Sequence, residues 1–297
     1  MPETLKSGFI TLIGRPNVGK STLLNQMLGH KVSIISEKPQ TTRNVIRGIY
    51  DSPTMQAVFM DTPGIHKPKH KLDQRMMEAA QNSLAGGDLV FYLVDVNATF
   101  GAGEEYILRQ LAEAKLPVFL ILNKIDLLSE AQLLPIIDFY QHKFDFAEIV
   151  PVSAKSGDNI ERLLQVLEQH LPEGPRFYPS GTISDQPEQF LMSELLREQV
   201  LSATEDEIPH STAVTIAEIE ERSENMLYVK ANIYVERDSQ KGILIGKRGA
   251  MLKKIGTDAR REMERLLGCR IYLDVRVKAK KDWRNNERLL RDWDVEQ

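Results

Sequence analysis

One eight-residue string, Gly14-Arg15-Pro16-Asn17-Val18-Gly19-Lys20-Ser21, constrains the fold of this chain more than any other. It fits G-x4-G-K-[ST], which residue frequencies alone would produce in about 1% of chains of this length. It also stands where physics needs it, between the apolar run Phe9–Ile13 and the helix-like stretch Ser21–Leu28. A strand that turns through glycines into a helix lets backbone N–H groups point inward at a diphosphate, with the helix presenting its positive end. Gly14 and Gly19 allow the close approach, and Arg15, Pro16, Asn17 and Val18 complete the loop. Lys20 is a point charge for the β- and γ-phosphates, the Ser21 hydroxyl is a magnesium ligand, and Thr22 closes the phosphate-binding set.

A phosphate loop leaves the base open, and Asn123-Lys124-Ile125-Asp126 addresses it. It directly follows the apolar run Pro117–Leu122, so it lies at the carboxyl end of a strand, where open sheets bind ligands. A carboxylate at Asp126 accepts from both N1–H and the 2-amino group of guanine. Adenine offers neither, and would leave a charge unpaired. Asn123 either bonds another edge of the base or ties loops together. Ser153-Ala154-Lys155 follows a short strand at 149–152, and its small residues allow a backbone N–H to reach guanine O6. Asp61-Thr62-Pro63-Gly64 ends the run Gln56–Met60. Asp61 is placed to hold magnesium through water, and the Gly64 N–H to bond the γ-phosphate. D-x-x-G is expected about once by chance in any such chain, so its weight comes from order and spacing. Between these pieces, in Pro39-Gln40-Thr41-Thr42-Arg43, a threonine can close over the γ-phosphate and magnesium, with Thr42 favoured over Thr41. Lys20, Thr42 and Gly64 form the catalytic set.

Up to about residue 170, apolar strand-sized runs alternate with amphipathic stretches, Glu104–Ala114 and Ile160–His170 among them. That alternation predicts an α/β domain with a mostly parallel sheet flanked by helices. Residues 1–171 form this domain. Pro172, Pro175, Pro179 and Pro187 then deny helix and central strand alike, so 172–189 reads as a linker. Residues 190–297 have another rhythm, α-β-β-α-α-β with a final helix over Asp282–Trp293. The net charge is −4, yet Lys241–Arg291 holds about 16 Lys or Arg against about 6 Asp or Glu. One segment therefore faces a polyanion. No apolar run reaches the 18 or so residues a membrane span needs, and the N-terminal run reads as a first strand rather than a signal peptide. Cys269 is the single cysteine, so no intrachain disulfide forms, which fits a reducing compartment.

The five elements in this order, spelled G-R-P-N-V-G-K-S and D-T-P-G, resemble the translation-factor-like bacterial GTPases. The resemblance implies GTP hydrolysis by in-line attack of water, with GTP or GDP and Mg2+ bound and switches at Lys38–Arg43 and Asp61–Lys71. One departure from Ras-like enzymes stands out: Ile65 follows Gly64 where those proteins carry a water-orienting glutamine. Slow intrinsic hydrolysis is expected. In related GTPases with a hydrophobic residue there, a P-loop asparagine helps bind potassium, and Asn17 stands at that position, which makes K+ a candidate second cation.

Ile243–Ile245, then Gly246-Lys247-Arg248-Gly249, then a basic helix from Met251, resembles a type II KH domain. In KH domains that loop lets a nucleic-acid backbone approach closely. Lys247 and Arg248 suit phosphates, and Lys253 and Lys254 extend the basic face. A single GTPase domain followed by such a domain resembles the Era family. The resemblance implies binding of 16S rRNA near its 3′ end and of the 30S ribosomal subunit during assembly, a monomeric state and a cytoplasmic location with peripheral contact at the inner membrane. Two other classes compete: an RNA chaperone whose GTPase is vestigial, which the intact Lys20 and Ser21 oppose, and a membrane-associated signalling GTPase, which has no need of the G-x-x-G loop.

Overall fold

A computed structural model describes residues 5–293. The outermost residues of both assigned domains, 1–4 and 294–297, lie outside the described residues. The chain divides into two compact units, one comprising 5–35, 40–68 and 73–185, the other 36–39, 69–72 and 186–293.

The first unit is built on β1 (Lys6–Ile13), β2 (Ile46–Asp51), β3 (Met55–Asp61), β4 (Leu89–Asp95), β5 (Val118–Asn123) and β6 (Glu148–Val152). They form one sheet in the order β2-β3-β1-β4-β5-β6. All neighbours run parallel except β2 and β3, which are antiparallel. Only three residues, Ser52-Pro53-Thr54, connect that pair, too few for a crossover. The strands β3, β4 and β5 are buried on both faces, as their near-continuous apolar sequences require. Helices α1 (Lys20–Leu28), α2 (Lys71–Ala85), α3 (Ala102–Ala114) and α4 (Glu130–Gln141) make the connections, and α5 (Ile160–His170) follows β6. Tyr92, Val94, Leu120 and Leu122 pack with Ile107 and Leu111 of α3 in a core that also takes in Ile65.

Residues 172–185 do not hang free between elements. The Ser7 N–H donates to Pro172 O at 3.0 Å and the Ile49 N–H to Ile183 O at 2.8 Å. Gln56 Oε1 accepts from the N–H groups of Phe177 and Tyr178 at 2.7 and 3.0 Å. Phe177 packs on Phe9 with ring centroids 4.7 Å apart. Asp51 accepts from Ser180 Oγ at 2.6 Å and pairs with Arg176. Prolines prevent this stretch from becoming an element of its own, and the first unit takes it up as an extended strap.

The second unit opens with α6 (Glu188–Ala203) and the short α7 (Ile208–Ser211). Then come β7 (Ala213–Ser223), β8 (Met226–Val235), α8 (Asp238–Ile245), α9 (Ala250–Leu267), β9 (Arg270–Ala279) and α10 (Glu287–Trp293). The three strands pair in the order β7-β8-β9, the first pair antiparallel and the second parallel. Val229, Ala231, Ile233 and Val235 alternate inward along β8 and meet Leu196 and Val200 of α6 and Ile255, Ala259 and Met263 of α9. Trp283 belongs to a small second core, its indole N–H donating to Ser211 O at 2.9 Å.

Candidate functional site

The loop after β1 is shaped by what its glycines exclude. A Cβ on Gly14 would sit 2.6 Å from Leu93 O, and one on Gly19 would sit 2.2 Å from Asn123 Nδ2. Gly19 has φ 101°, a conformation that L side chains rarely adopt. Asn17 is also left-handed, at φ 64°. Gly19 ends the loop as the N-cap of α1, so the amides of the first helical turn are turned toward the loop interior. Lys20 is buried, its Nζ donating to Gly14 O at 3.3 Å and Arg15 O at 3.1 Å. Burial pushes its pKa down to about 8, against the pull of the Asp61 carboxylate. Arg15 turns outward to Glu104 Oε1 at 3.0 Å, and that buried carboxylate also accepts from the Gly101 N–H at 3.2 Å.

Beside Lys20, three hydroxyls converge on one carboxylate. Asp61, at the end of β3, is fully buried. Its Oδ2 accepts from Ser21 Oγ at 2.6 Å, Ser33 Oγ at 2.9 Å and Thr42 Oγ1 at 3.4 Å. Thr42 Oγ1 also lies 3.0 Å from Ser21 Oγ. Burial raises the Asp61 pKa, opposed by Lys20 and by these hydroxyls. The other oxygen, Oδ1, is buried with no hydrogen-bond partner, a costly arrangement for a carboxylate. One carboxylate and two hydroxyls, all hard oxygen donors, fit a magnesium ion that takes its remaining ligands from phosphate and water. Among the described residues no cluster of three His, Cys, Asp or Glu could hold a metal by itself. Of the two threonines, Thr42 is the one brought to Ser21 and Asp61. Ser33 escaped the sequence reading, since nothing in Lys31–Ser36 marks it as a partner of a residue 28 positions away.

In the D-T-P-G segment, Thr62 faces inward and its hydroxyl donates to Leu12 O at 2.6 Å, a tie between strands β1 and β3. Gly64 lies against the P-loop, where a Cβ would be 2.8 Å from the backbone of Pro16. The Ile65 N–H donates to Gly14 O at 3.2 Å, and its side chain is turned into the core at 9% exposure.

The base-side motifs meet at the ends of β5 and β6. Asn123 is buried; its Nδ2 donates to Val18 O at 2.7 Å and its Oδ1 accepts from the Ala154 N–H at 2.9 Å. Of the two roles open to it, the one visible is the tie, which joins the P-loop to the Ser153–Lys155 loop. Ser153 Oγ donates to Asp126 Oδ1 at 2.6 Å. Lys124, with φ 71°, reaches Asp95 Oδ2 at 2.6 Å. Asp95 was missed from sequence, although its place at the carboxyl end of β4 was a usable signal. Lys155 is exposed.

In the second unit, Gly246-Lys247-Arg248-Gly249 links α8 to α9 as a tight turn. Gly246 has φ 72° and ψ 175°, and a Cβ there would meet Met251 Cβ at 2.7 Å. Lys247, Arg248, Lys253 and Lys254 are exposed. Ile243, next to the turn, is 56% exposed, an apolar residue that the sequence reading treated only as an approach to the glycines.

A family model described as a 50S ribosome-binding GTPase matches residues 9–124, and a KH-domain model matches residues 207–284. Two solved structures resemble the chain over nearly its whole length. One is Era in complex with MgGDPNP and nucleotides 1506–1542 of 16S ribosomal RNA. It is 40% identical with a TM-score of 0.95, and the match covers 98% of this chain and 99% of that one. The other is a substituted Era from Aquifex aeolicus bound to GDP and AlF4−, with the same identity, TM-score and coverage.

Proposed function

The chain belongs to the Era family of GTPases, in which a P-loop GTPase domain precedes a KH domain, and from that premise we propose that it is a GTP-hydrolysing switch that binds 16S rRNA near its 3′ end. In this reading residues 1–171 hydrolyse GTP, 190–297 hold RNA, and the strap between them belongs to the GTPase unit. The work is done on the 30S subunit, in rRNA processing and subunit assembly, by a monomer in the cytoplasm.

The observation that carries the reading is the convergence of Ser21, Thr42 and Asp61 beside Lys20, with one Asp61 oxygen left unsatisfied. Lys20 gives up two carbonyl bonds for phosphate oxygens, which face its ammonium directly. Ser21, Thr42 and Asp61 would hold Mg2+, which would supply positive charge for the negative charge that builds on the β–γ phosphates as GDP leaves. The Gly64 N–H binds a γ-phosphate oxygen, so loss of that phosphate frees both the Thr42 and the Gly64 loops. Asp126, aimed by Ser153, selects guanine. Asn17 is assigned to a potassium ion that adds charge in place of the missing glutamine. Lys247 and Arg248 engage the RNA backbone at the glycine turn, with Lys253 and Lys254 alongside.

The test is the affinity for a 3′-terminal 16S rRNA oligonucleotide with GDP and with a GTP analogue bound. Different dissociation constants are expected, and equal ones would sink the switch while leaving both sites standing. Among the described residues no helix is long and apolar enough to cross a membrane. Peripheral contact with the inner membrane is the second reading, favoured by the exposed basic turn. Replacing Lys247 and Arg248 by glutamate separates the two, because it abolishes RNA binding in the first reading and only weakens vesicle binding in the second.

A further inference from the structure

The segment after Gly64 carries a side-chain cluster that none of these roles uses. His66 Nδ1 lies 2.8 Å from Gly64 O, and its Nε2 lies 2.8 Å from Gln40 Nε2. Gln40 Nε2 also donates to Asp73 Oδ1 at 3.0 Å, and that same oxygen is 3.5 Å from His66 Nε2. One protonation pattern satisfies the set. Neutral His66 donates from Nδ1 to the Gly64 carbonyl, and its Nε2 accepts one hydrogen of the Gln40 amide, whose other hydrogen goes to Asp73. Asp73 is buried at 2% exposure, in the first turn of α2, and so provides a fixed anchor. Gln40 is held at φ 62°, a conformation uncommon for a residue with a side chain.

The placement matters because of what the histidine grips. The Gly64 carbonyl and the Ile65 N–H belong to one peptide group. That group is held at one end by His66 and at the other by Gly14 O of the P-loop, at 3.2 Å. The Gly64 N–H is thereby set in orientation by bonds to its neighbouring peptide. Gln40 sits two residues before Thr42, so the same histidine joins the Gly64 loop to the threonine that reaches Ser21 and Asp61.

We propose that His66, bridged by Gln40 to Asp73, is a positioning residue for GTP hydrolysis that locks the Gly64 loop and the Thr42 loop into one cooperative unit. This rests on the reading of the site as a GTPase. His66 touches no reacting atom in this scheme; it acts through the Gly64 peptide and through Gln40. Because Ile65 is turned into the core, alignment of backbone donors carries more of the rate here than in an enzyme with a water-orienting side chain.

The test is a double-mutant cycle of His66→Ala and Gln40→Ala in the full chain, with Asp73→Asn as a third variant. Steady-state turnover, the affinity for a fluorescent GTP analogue and the melting temperature are measured together. Each single variant should lower kcat about five- to tenfold, the worth of one net hydrogen bond expressed as a rate. Analogue affinity should fall less than kcat does, since the P-loop and base contacts are untouched and only the γ-phosphate contacts of the two loops are loosened. The H66A/Q40A double variant should be no slower than the slower single one, because the residues act as a unit. Unchanged kcat in H66A, or losses in the two singles that multiply in the double, would overturn the proposal. A fall in melting temperature with intact kcat would make the cluster structural only and would also overturn it. Wild-type protein that binds the analogue yet fails to turn over GTP would count against the GTPase reading itself, an outcome separate from the others.

Discussion

Asp126 shows how much one side chain decides. Its carboxylate can take two hydrogens from guanine, and Ser153 Oγ, 2.6 Å from Oδ1, fixes its orientation. Asp126→Asn leaves one acceptor and introduces a donor, which meets the guanine 2-amino group head-on but matches the 2-oxo group of xanthine. GTP affinity should fall roughly 10- to 100-fold, with xanthosine triphosphate gaining over GTP, as measured by competition against a fluorescent nucleotide. Asn17 makes a claim of a different kind. If it serves a potassium ion, turnover in potassium chloride should exceed turnover in sodium chloride at equal ionic strength, and Asn17→Ala should erase the difference. Equal turnover of the parent protein in the two salts would remove potassium from the account.

At the scale of elements, the strap at 172–185 is the feature whose contacts can be titrated. Burial works against ionisation of Asp51, but bonds from Ser180, Gln56 and the Gly181 N–H and the charge of Arg176 outweigh it and hold its pKa below the ordinary aspartate value. A depressed folded value means that the stabilisation is fully present above the unfolded pKa and is lost as pH falls through the folded one. Asp51→Asn should therefore cost about 1 kcal/mol at neutral pH, read by denaturant unfolding, and the gap to wild type should close as the pH drops below about 4. The strap also shows where sequence reading stops. Its prolines announced that it was neither helix nor strand, but its partners lie 121 or more positions away, beyond any local signal. The strands β3, β4 and β5 were legible because burial on both faces makes them near-continuous apolar runs, and β1 and β6 because a short apolar run precedes a motif. The mixed string Ile46–Asp51 carries no such run, so β2 went unread. The helix α2, of sequence KLDQRMMEAAQNSLA, has few large apolar residues, and α4 contains Pro135, so both were missed as well. Motif residues were legible because phosphate and guanine dictate their spacing. Ser33, Asp95, Gln40 and His66 were not, because only the folded chain brings them to their partners.

For the whole molecule the governing relation is linkage. If GTP raises the affinity for RNA by some factor, RNA must raise the affinity for GTP by the same factor. Titrating each ligand in the presence and absence of the other should return one coupling constant, and unequal constants would mean that a third species takes part. The basic turn gives an independent measure. Lys247→Ala with Arg248→Ala removes two phosphate contacts, so the slope of log affinity against log salt for a single-stranded oligonucleotide should become shallower by about 1.4. An unchanged slope would move the RNA away from the glycine turn.

The inward turn of Ile65 has a consequence for time rather than for binding. A clock can be sped up by one part only if that part is free to move, and this residue is built into the wall. Its side chain belongs to the same buried core as Tyr92, Val94 and Leu122, and a glutamine there would bury an amide instead of meeting water. Ile65→Gln should therefore cost about 1–3 kcal/mol of stability and bring no gain in turnover. In the proposed switch the packing of the domain itself thus keeps a water-orienting side chain from this position, and a partner that shortens the GTP-bound interval must supply its own chemistry from outside.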